Sequence, residues 1–140
     1  MSLKIVVVSP ARPVFTGEAS KFSVEALHGQ MGVRPGHADI VAALGIGPLK
    51  ITTGAGEVRY AVWGGFLKVG KGGHVTILVD RAEAGPEVDE AAARKELEET
   101  NAALRHPKSE EDFRDLLEKR AWCQTRIKLN REAPLGVAGR

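Results

Sequence analysis

The residue pattern of the chain changes at Gly85-Pro86. Of its 16 glycines, all except Gly136 and Gly139 lie at or before Gly85. Glycine weakens a helix interior by roughly 1 kcal/mol relative to alanine, and it supplies the backbone conformations of tight turns. We therefore expect strands and turns before this point and helices after it. The sequence predicts two domains, 1–85 and 86–140.

Alternation of polar and apolar residues marks the strands of the first domain. Such stretches recur between turns rich in glycine and proline, which is typical of β-sandwiches and barrels. Hairpin tips are expected at Gly54-Ala55-Gly56 and at Lys71-Gly72-Gly73. The strands predicted in this way cover residues 3–8, 21–26, 49–52, 57–62, 66–69 and 75–79.

Two helices are predicted in the second domain. Asp89 can cap a first helix that ends near Ala103, and Ser109 can cap a second helix that runs from Glu110 to about Asn130. The short loop between them favours an antiparallel helical hairpin. Residues 132–140 are expected to form a short flexible tail. The inner face of the second helix is expected to hold Phe113, Leu116, Leu117, Ala121 and Ile127.

The segment from Gly32 to Ala38 predicts a rigid turn. Pro35 fixes φ near −65°, and Gly36 can take the positive φ that a type II turn requires. The segment is too rich in turn formers for a strand interior. We interpret it as a docking surface that presents Arg34 and His37.

Composition excludes several classes of function. A net charge of +2 is too small to indicate nucleic-acid binding. Cys123 is the single cysteine, which excludes an intrachain disulfide and a cysteine-cluster metal site and fits a reducing cytoplasm. No apolar run reaches the ~18 residues of a membrane span, and the N-terminus has no signal-peptide pattern.

No catalytic or metal site is predicted. The four histidines do not pair at the spacing of metal ligands. The stretch from Gly65 to Gly72 is close to a phosphate-binding loop, but it ends in glycine where that motif needs a hydroxyl, and it reads as a strand. No nucleophile elbow is present.

Several motifs in order along the chain resemble the epsilon subunit of bacterial F-type ATP synthase, which is called delta in mitochondria. The resemblance covers the chain from Leu3 to about Arg131. It rests on Ser9-Pro10, Val14-Phe15-Thr16-Gly17-Glu18, the stretch from Gly29 to Ala38, the stretch from Gly64 to Val69 and the stretch from Val75 to Ala82.

This resemblance implies an α+β fold, with an N-terminal antiparallel β-sandwich of about ten strands and a C-terminal antiparallel two-helix hairpin. It implies a non-catalytic rotor subunit of the central stalk that couples c-ring rotation to ATP synthesis and inhibits ATP hydrolysis through its helices. The implied partners are the gamma subunit, the c-ring loops and, when the hairpin extends, the beta subunit. The implied location is peripheral, at the cytoplasmic face of the bacterial plasma membrane.

The resemblance also implies contact residues. Gln30, Met31, Arg34 and His37 match positions that face the stalk and the ring. Family members often have glutamate where this chain has Gln30, which leaves a neutral hydrogen bond at that position. Contacts to the beta subunit are implied for the basic second helix, at Arg114, Lys119, Arg120, Arg126 and Lys128.

Some family members bind ATP between the two helices through a motif that aligns with residues 88–93. Asp89 and Ala93 match this motif, but Ala92 replaces its arginine, and Arg94 lies on a different face of the helix. We therefore predict no cofactor, with Asp89 and Arg94 as the candidate contacts should ATP bind.

Two other classes of function stay open at the level of sequence. A free-standing β-sandwich module that binds a ligand would need a pocket lined by aromatic residues. A small β-sandwich enzyme would need a convergent polar cluster. Neither pattern is evident in the sequence.

Overall fold

The computed structural model describes residues 2–132. The helices are α1 (Glu90–Leu104) and α2 (Glu110–Glu132), and short 3₁₀ turns occupy Lys71–Gly73 and Gly85–Glu87. The predicted flexible tail lies outside the described residues except for Glu132, which ends α2. The strands are β1 (Leu3–Val8), β2 (Pro13–Ala19), β3 (Lys21–Ala26), β4 (Gly29–Val33), β5 (Ile40–Thr53), β6 (Gly56–Val69) and β7 (His74–Ala84).

The strands form one hydrogen-bonded sheet in the order β2-β1-β7-β6-β5-β3-β4. The expectation of about ten strands is wrong for residues 2–132, where the sheet has seven strands. The stretches 57–62 and 66–69, predicted as separate strands, belong to the single 14-residue strand β6. The sheet is also not purely antiparallel, because β1 and β7 pair in parallel.

The sheet curls so that one of its faces encloses the core. The Tyr60 hydroxyl on β6 donates to the Val14 carbonyl oxygen on β2 at 3.5 Å, although β1 and β7 separate these strands in the sheet. All seven strands contribute buried side chains to the same apolar cluster. The result is a β-sandwich made from one continuous sheet, with α2 against its outer side and α1 packed on α2.

A pair of glycines lets β6 change the face that it turns towards the core. Val62 and Leu67 both point into the core, although Leu67 comes five positions after Val62 in the sequence and regular alternation would place them on opposite faces. Gly64 and Gly65, between them, have φ values of +65° and +117°. A Cβ atom on Gly65 would overlap the carbonyl oxygen of Leu78 on β7. Residue 65 therefore has to be glycine.

The predicted turn at Pro35-Gly36 is confirmed. The His37 amide donates to the Arg34 carbonyl oxygen at 3.1 Å, and Gly36 has a φ of +85°. The first two residues of the segment, Gly32 and Val33, form the end of β4, and the turn follows directly. Val33 is fully buried in the core, which explains why the strand continues up to the turn.

The helix starts are confirmed. The Asp89 carboxylate accepts a hydrogen bond from the Ala92 amide at 3.1 Å, and the Ser109 hydroxyl accepts one from the Asp112 amide at 3.0 Å. The predicted inner face of α2 is only partly correct: Ile127 is buried, but Phe113 is 42% exposed. The buried residues of α2 are Trp122, Cys123, Ile127 and Leu129, all in its C-terminal half.

Replacing Gly65 with alanine is expected to destabilise the protein by about 3 kcal/mol or more, because the new Cβ meets backbone and the positive φ is strained. Gly54→Ala is the matched control, since Gly54 has nothing within 4 Å of the added Cβ. Urea unfolding measures the stability of both variants. Equal midpoints for the two variants would contradict this account of β6.

Candidate interaction surfaces

The four predicted stalk and ring residues lie at one end of the sheet. Gln30 and Met31 are on β4, which is an edge strand, and Arg34 and His37 are on the turn that follows it. Gln30 is exposed, whereas Met31 packs partly against the core. The His37 Nδ1 atom lies 2.8 Å from the Ala38 carbonyl oxygen. That oxygen can only accept, so Nδ1 carries the proton and Nε2 stays available.

These residues border different concave surfaces. Gln30 and Met31 line a groove of about 410 Å³ that continues to Leu27 and Val41. Arg34 and His37 line a cleft of about 610 Å³ on the other side of β4. The structure thus places all four residues on one edge of the sheet but divides them between a groove and a separate cleft.

An exposed apolar face beside the groove was missed by sequence reasoning. We define the apolar face as Leu27, Val41, Phe66 and Leu78, whose exposed fractions are 66%, 71%, 60% and 52%. Phe66 pairs with Leu78 across β6 and β7 and with Ala43 across β6 and β5. Contiguous exposed apolar side chains on a soluble domain mark a surface that another protein covers. The available signal was the run Phe66-Leu67, which is apolar on both faces of the strand.

Tryptophan packing joins α2 to the outer side of β6. The rings of Trp122 and Trp63 are 5.6 Å apart between centroids and tilted by 49°. The Arg81 guanidinium lies 5.3 Å from the Trp63 ring centroid and 4.9 Å from that of Trp122. Cations over indole rings at such distances are attracted to them. We call this helix–sheet contact the seam; it also contains Ala61 and Leu129.

Arg126 links three elements at the seam. Its guanidinium lies 3.2 Å from a Glu83 carboxylate oxygen on β7 and 3.7 Å from a Glu96 carboxylate oxygen on α1. It also lies 5.7 Å from the Trp122 ring centroid. Its side chain is only 12% exposed. Arg126 is therefore a contact within the protein in this conformation.

The other predicted cations of α2 differ in their surroundings. Lys119 pairs with Glu96 of α1 at 3.8 Å. Arg114 and Lys128 are exposed and Arg120 is half-buried, and within residues 2–132 none of these three forms an ion pair.

The two candidate ATP contacts are engaged within the protein. Asp89 caps α1, and the Arg94 guanidinium pairs with the Glu90 carboxylate at 3.1 Å. Arg94 lines a groove of about 430 Å³ between the helices, together with Lys128 and Arg131. Asp89 is not among the residues that line this groove. The structure does not bring the two candidates to one site.

Cys123 is buried at the seam, with no exposed surface. Burial raises the pKa of its thiol, and the Glu96 carboxylate raises it further, while nearby Arg126, Lys119 and Arg81 act in the opposite direction. A buried thiol with a raised pKa is a poor nucleophile. This fits a packing role.

Residues 2–132 contain neither a metal-binding cluster nor a membrane-spanning helix. No group of three or more histidine, cysteine, aspartate or glutamate side chains is placed to hold a metal ion in this range. No described helix is both long enough and apolar enough to cross a membrane.

Arg126→Gln is expected to increase the reaction rate of Cys123 with a thiol reagent about tenfold. The substitution removes two ion pairs that are largely shielded from water, so α2 should leave the sheet more often and expose the thiol. Arg114→Gln removes the same charge from an exposed position and should leave the rate unchanged. The link assigned to Arg126 would be refuted by equal rates in the two variants.

Comparisons with known proteins all point to the same family. The family described as "ATP synthase, Delta/Epsilon chain, beta-sandwich domain" matches residues 2–85. The ATP synthase epsilon chain of a Synechococcus species is 36% identical over 104 residues, which are 74% of this chain and 76% of the relative. The epsilon chain of Gloeothece citriformis is 32% identical over 129 residues, which are 91% of this chain and 93% of the relative.

Solved structures share the fold. A chain in the Euglena gracilis mitochondrial ATP synthase superposes with a TM-score of 0.81 at 22% identity, covering 93% of this chain and 81% of the other. A chain in the central stalk and c-ring structure of Tetrahymena thermophila mitochondrial ATP synthase superposes with a TM-score of 0.61 at 14% identity, covering 91% and 96%. By its sequence match over residues 2–85 and by these relatives, the chain belongs to the ATP synthase delta/epsilon family.

Proposed function

We propose that this chain is the epsilon subunit of an F-type ATP synthase, a non-catalytic rotor subunit of the central stalk. In this role it connects the ion-driven c-ring to the stalk that drives ATP synthesis. The observation that carries the proposal is the family match over the whole β-sandwich, residues 2–85. The exposed apolar face supports it independently, because a rotor subunit needs a permanent partner.

The gamma subunit is the partner proposed for the apolar face. Burying a large side chain such as Phe66 contributes about 1.5–3 kcal/mol. Val41, Phe66 and Leu78 lie on strands, and Leu27 lies in the short turn between β3 and β4. Because three of the four side chains are held by the sheet, the contact can transmit torque with little local deformation. If the sheet binds the gamma subunit, the helices do not have to contribute to that contact.

The c-ring loops are the partner proposed for the edge formed by β4 and its turn. Gln30 is exposed on β4 and can offer a neutral amide, while Arg34 and His37 add polar groups from the rigid turn. We propose a peripheral location at the cytoplasmic face of the membrane, as part of the complex.

Regulation is proposed for the two helices, arranged as an antiparallel hairpin. Glu90 at the start of α1 contacts Arg131 near the end of α2 at 3.2 Å, which supports this arrangement. The buried residues of α1 are only Ala93 and Thr100. Small buried side chains contribute little to packing, so separation of α1 from α2 should be accessible, whereas release of α2 from the sheet also has to break the seam.

The released hairpin is proposed to contact the beta subunit and to inhibit ATP hydrolysis. Arg114, Arg120 and Lys128 already lack ion pairs among the described residues, and release would add Lys119 and Arg126 to this cationic surface. The indole nitrogen of Trp122 is buried without a hydrogen-bond partner among residues 2–132. Exposure to water would satisfy it, which offsets part of the cost of release.

ATP is proposed not to be a strong ligand of the helices. Ala92 stands where the binding motif has arginine, and Arg94 is paired with Glu90. Asp89 already accepts a hydrogen bond as the helix cap.

Phe66→Glu should weaken co-purification of this chain with the gamma subunit at least tenfold, because it places a charge in the apolar face. Phe113→Glu is the control, as Phe113 is also a partly exposed phenylalanine but lies on α2. Loss of the complex with both variants, or with neither, would contradict the proposal that the apolar face binds the gamma subunit.

Deleting residues 87–140 should raise the ATP hydrolysis rate of the assembled enzyme severalfold while ATP-driven ion pumping persists. Pumping is the control, because it shows that the truncated subunit is still in place. An unchanged hydrolysis rate in a pumping enzyme would rule out inhibition by the hairpin and leave the rotor assignment intact.

A further inference from the structure

A cationic cleft lies beside the turn. Its volume is about 610 Å³, within the ~300–1,000 Å³ typical of small-molecule sites. Lys21 on β3, Lys50 on β5 and Arg34 on the turn contribute its positive charges. We call this feature the basic cleft.

Strand register brings the two lysines together. Lys21 lies opposite Thr52, and Lys50 lies opposite Ser23, so the lysines are diagonal neighbours on adjacent strands. Diagonal neighbours in a sheet are separated by about 7–8 Å. Their neighbours Phe22 and Ile51 are buried in the core, which directs both lysines to the outer face.

The positive charge of the basic cleft is not balanced by the protein. Within residues 2–132, Lys21, Lys50 and Arg34 form no ion pair. Glu57 is the one carboxylate that lines the cleft, and it is already paired with Arg59. Like charges held this close repel each other when the cleft is empty.

The cleft is also prepared to receive an anion. The hydrogen bond from the His37 amide to the Arg34 carbonyl oxygen holds the turn that carries Arg34. The hydroxyls of Ser23 and Thr52 line the same cleft and can donate. A guanidinium flanked by ammonium groups and hydroxyls suits the oxygens of phosphate.

We propose that the basic cleft binds an anion that carries two or more phosphate groups. Three cations exceed what a single carboxylate or one inorganic phosphate would balance. Either a soluble polyphosphate or the headgroup of a lipid with two phosphates, such as cardiolipin, has this chemistry. The site is distinct from the groove between the helices, and the proposal does not depend on the rotor assignment.

Calorimetric titration of the full chain with pyrophosphate, at constant ionic strength, tests this proposal. The variant Lys21→Gln/Lys50→Gln should bind at least about tenfold more weakly than the unchanged chain. Lys95→Gln/Lys108→Gln is the matched control, because it removes the same charge from exposed positions on or next to the helices. Equal weakening by both double variants would mean diffuse attraction to a positive protein and would overturn the proposal.

Vesicle co-sedimentation distinguishes the two sources of phosphate. Binding to vesicles of phosphatidylglycerol and cardiolipin but not of phosphatidylcholine, lost in the Lys21→Gln/Lys50→Gln variant, would assign a lipid headgroup. Binding of pyrophosphate without binding of vesicles would assign a soluble ligand. Failure of both probes at millimolar concentration would overturn the proposal.

Discussion

The stacking of Trp122 against Trp63 is the interaction on which the arrangement of helices and sheet depends. It covers the outer side of β6 around Ala61, which would otherwise face water. Arg81 lies over both rings, and Arg126 ties the same helix to Glu83 of the sheet. Three kinds of attraction therefore act at one place: apolar burial, cation–π contact and ion pairing. None of them involves the core of the sheet, so the seam can open while the sheet stays folded.

The change of face in β6 divides the outer side of the sheet into two regions with different uses. Before Gly64 and Gly65, the outward residues Ala61 and Trp63 lie under α2. After them, Phe66 faces outward and is uncovered. One strand thus serves a contact within the protein at one end and a surface for a partner at the other. The contact with α2 and the exposed apolar face therefore do not share side chains.

Local features of the fold could be predicted from the sequence, and long-range ones could not. The caps at Asp89 and Ser109 and the turn at Pro35-Gly36 were predictable because each depends on residues within a few positions. The parallel pairing of β1 with β7 and the length of β6 depend on distant partners. The role of Arg126 was hidden for the same reason: its partners Glu83 and Glu96 come from other elements. Phe113 fits a helical stripe, but the burial in α2 is concentrated in its C-terminal half.

The seam also makes the tryptophan fluorescence of the protein sensitive to whether α2 is docked on the sheet. The chain contains two tryptophans, and both are in this contact. Indole emission depends on the polarity around the ring, and Trp122 is 1% exposed while α2 lies on the sheet. Because the core of the sheet holds no tryptophan, the tryptophan emission of the unlabelled subunit comes entirely from the helix–sheet contact. Undocking of the helices can therefore be followed in real time by intrinsic fluorescence, in a mixture with any partner that itself lacks tryptophan.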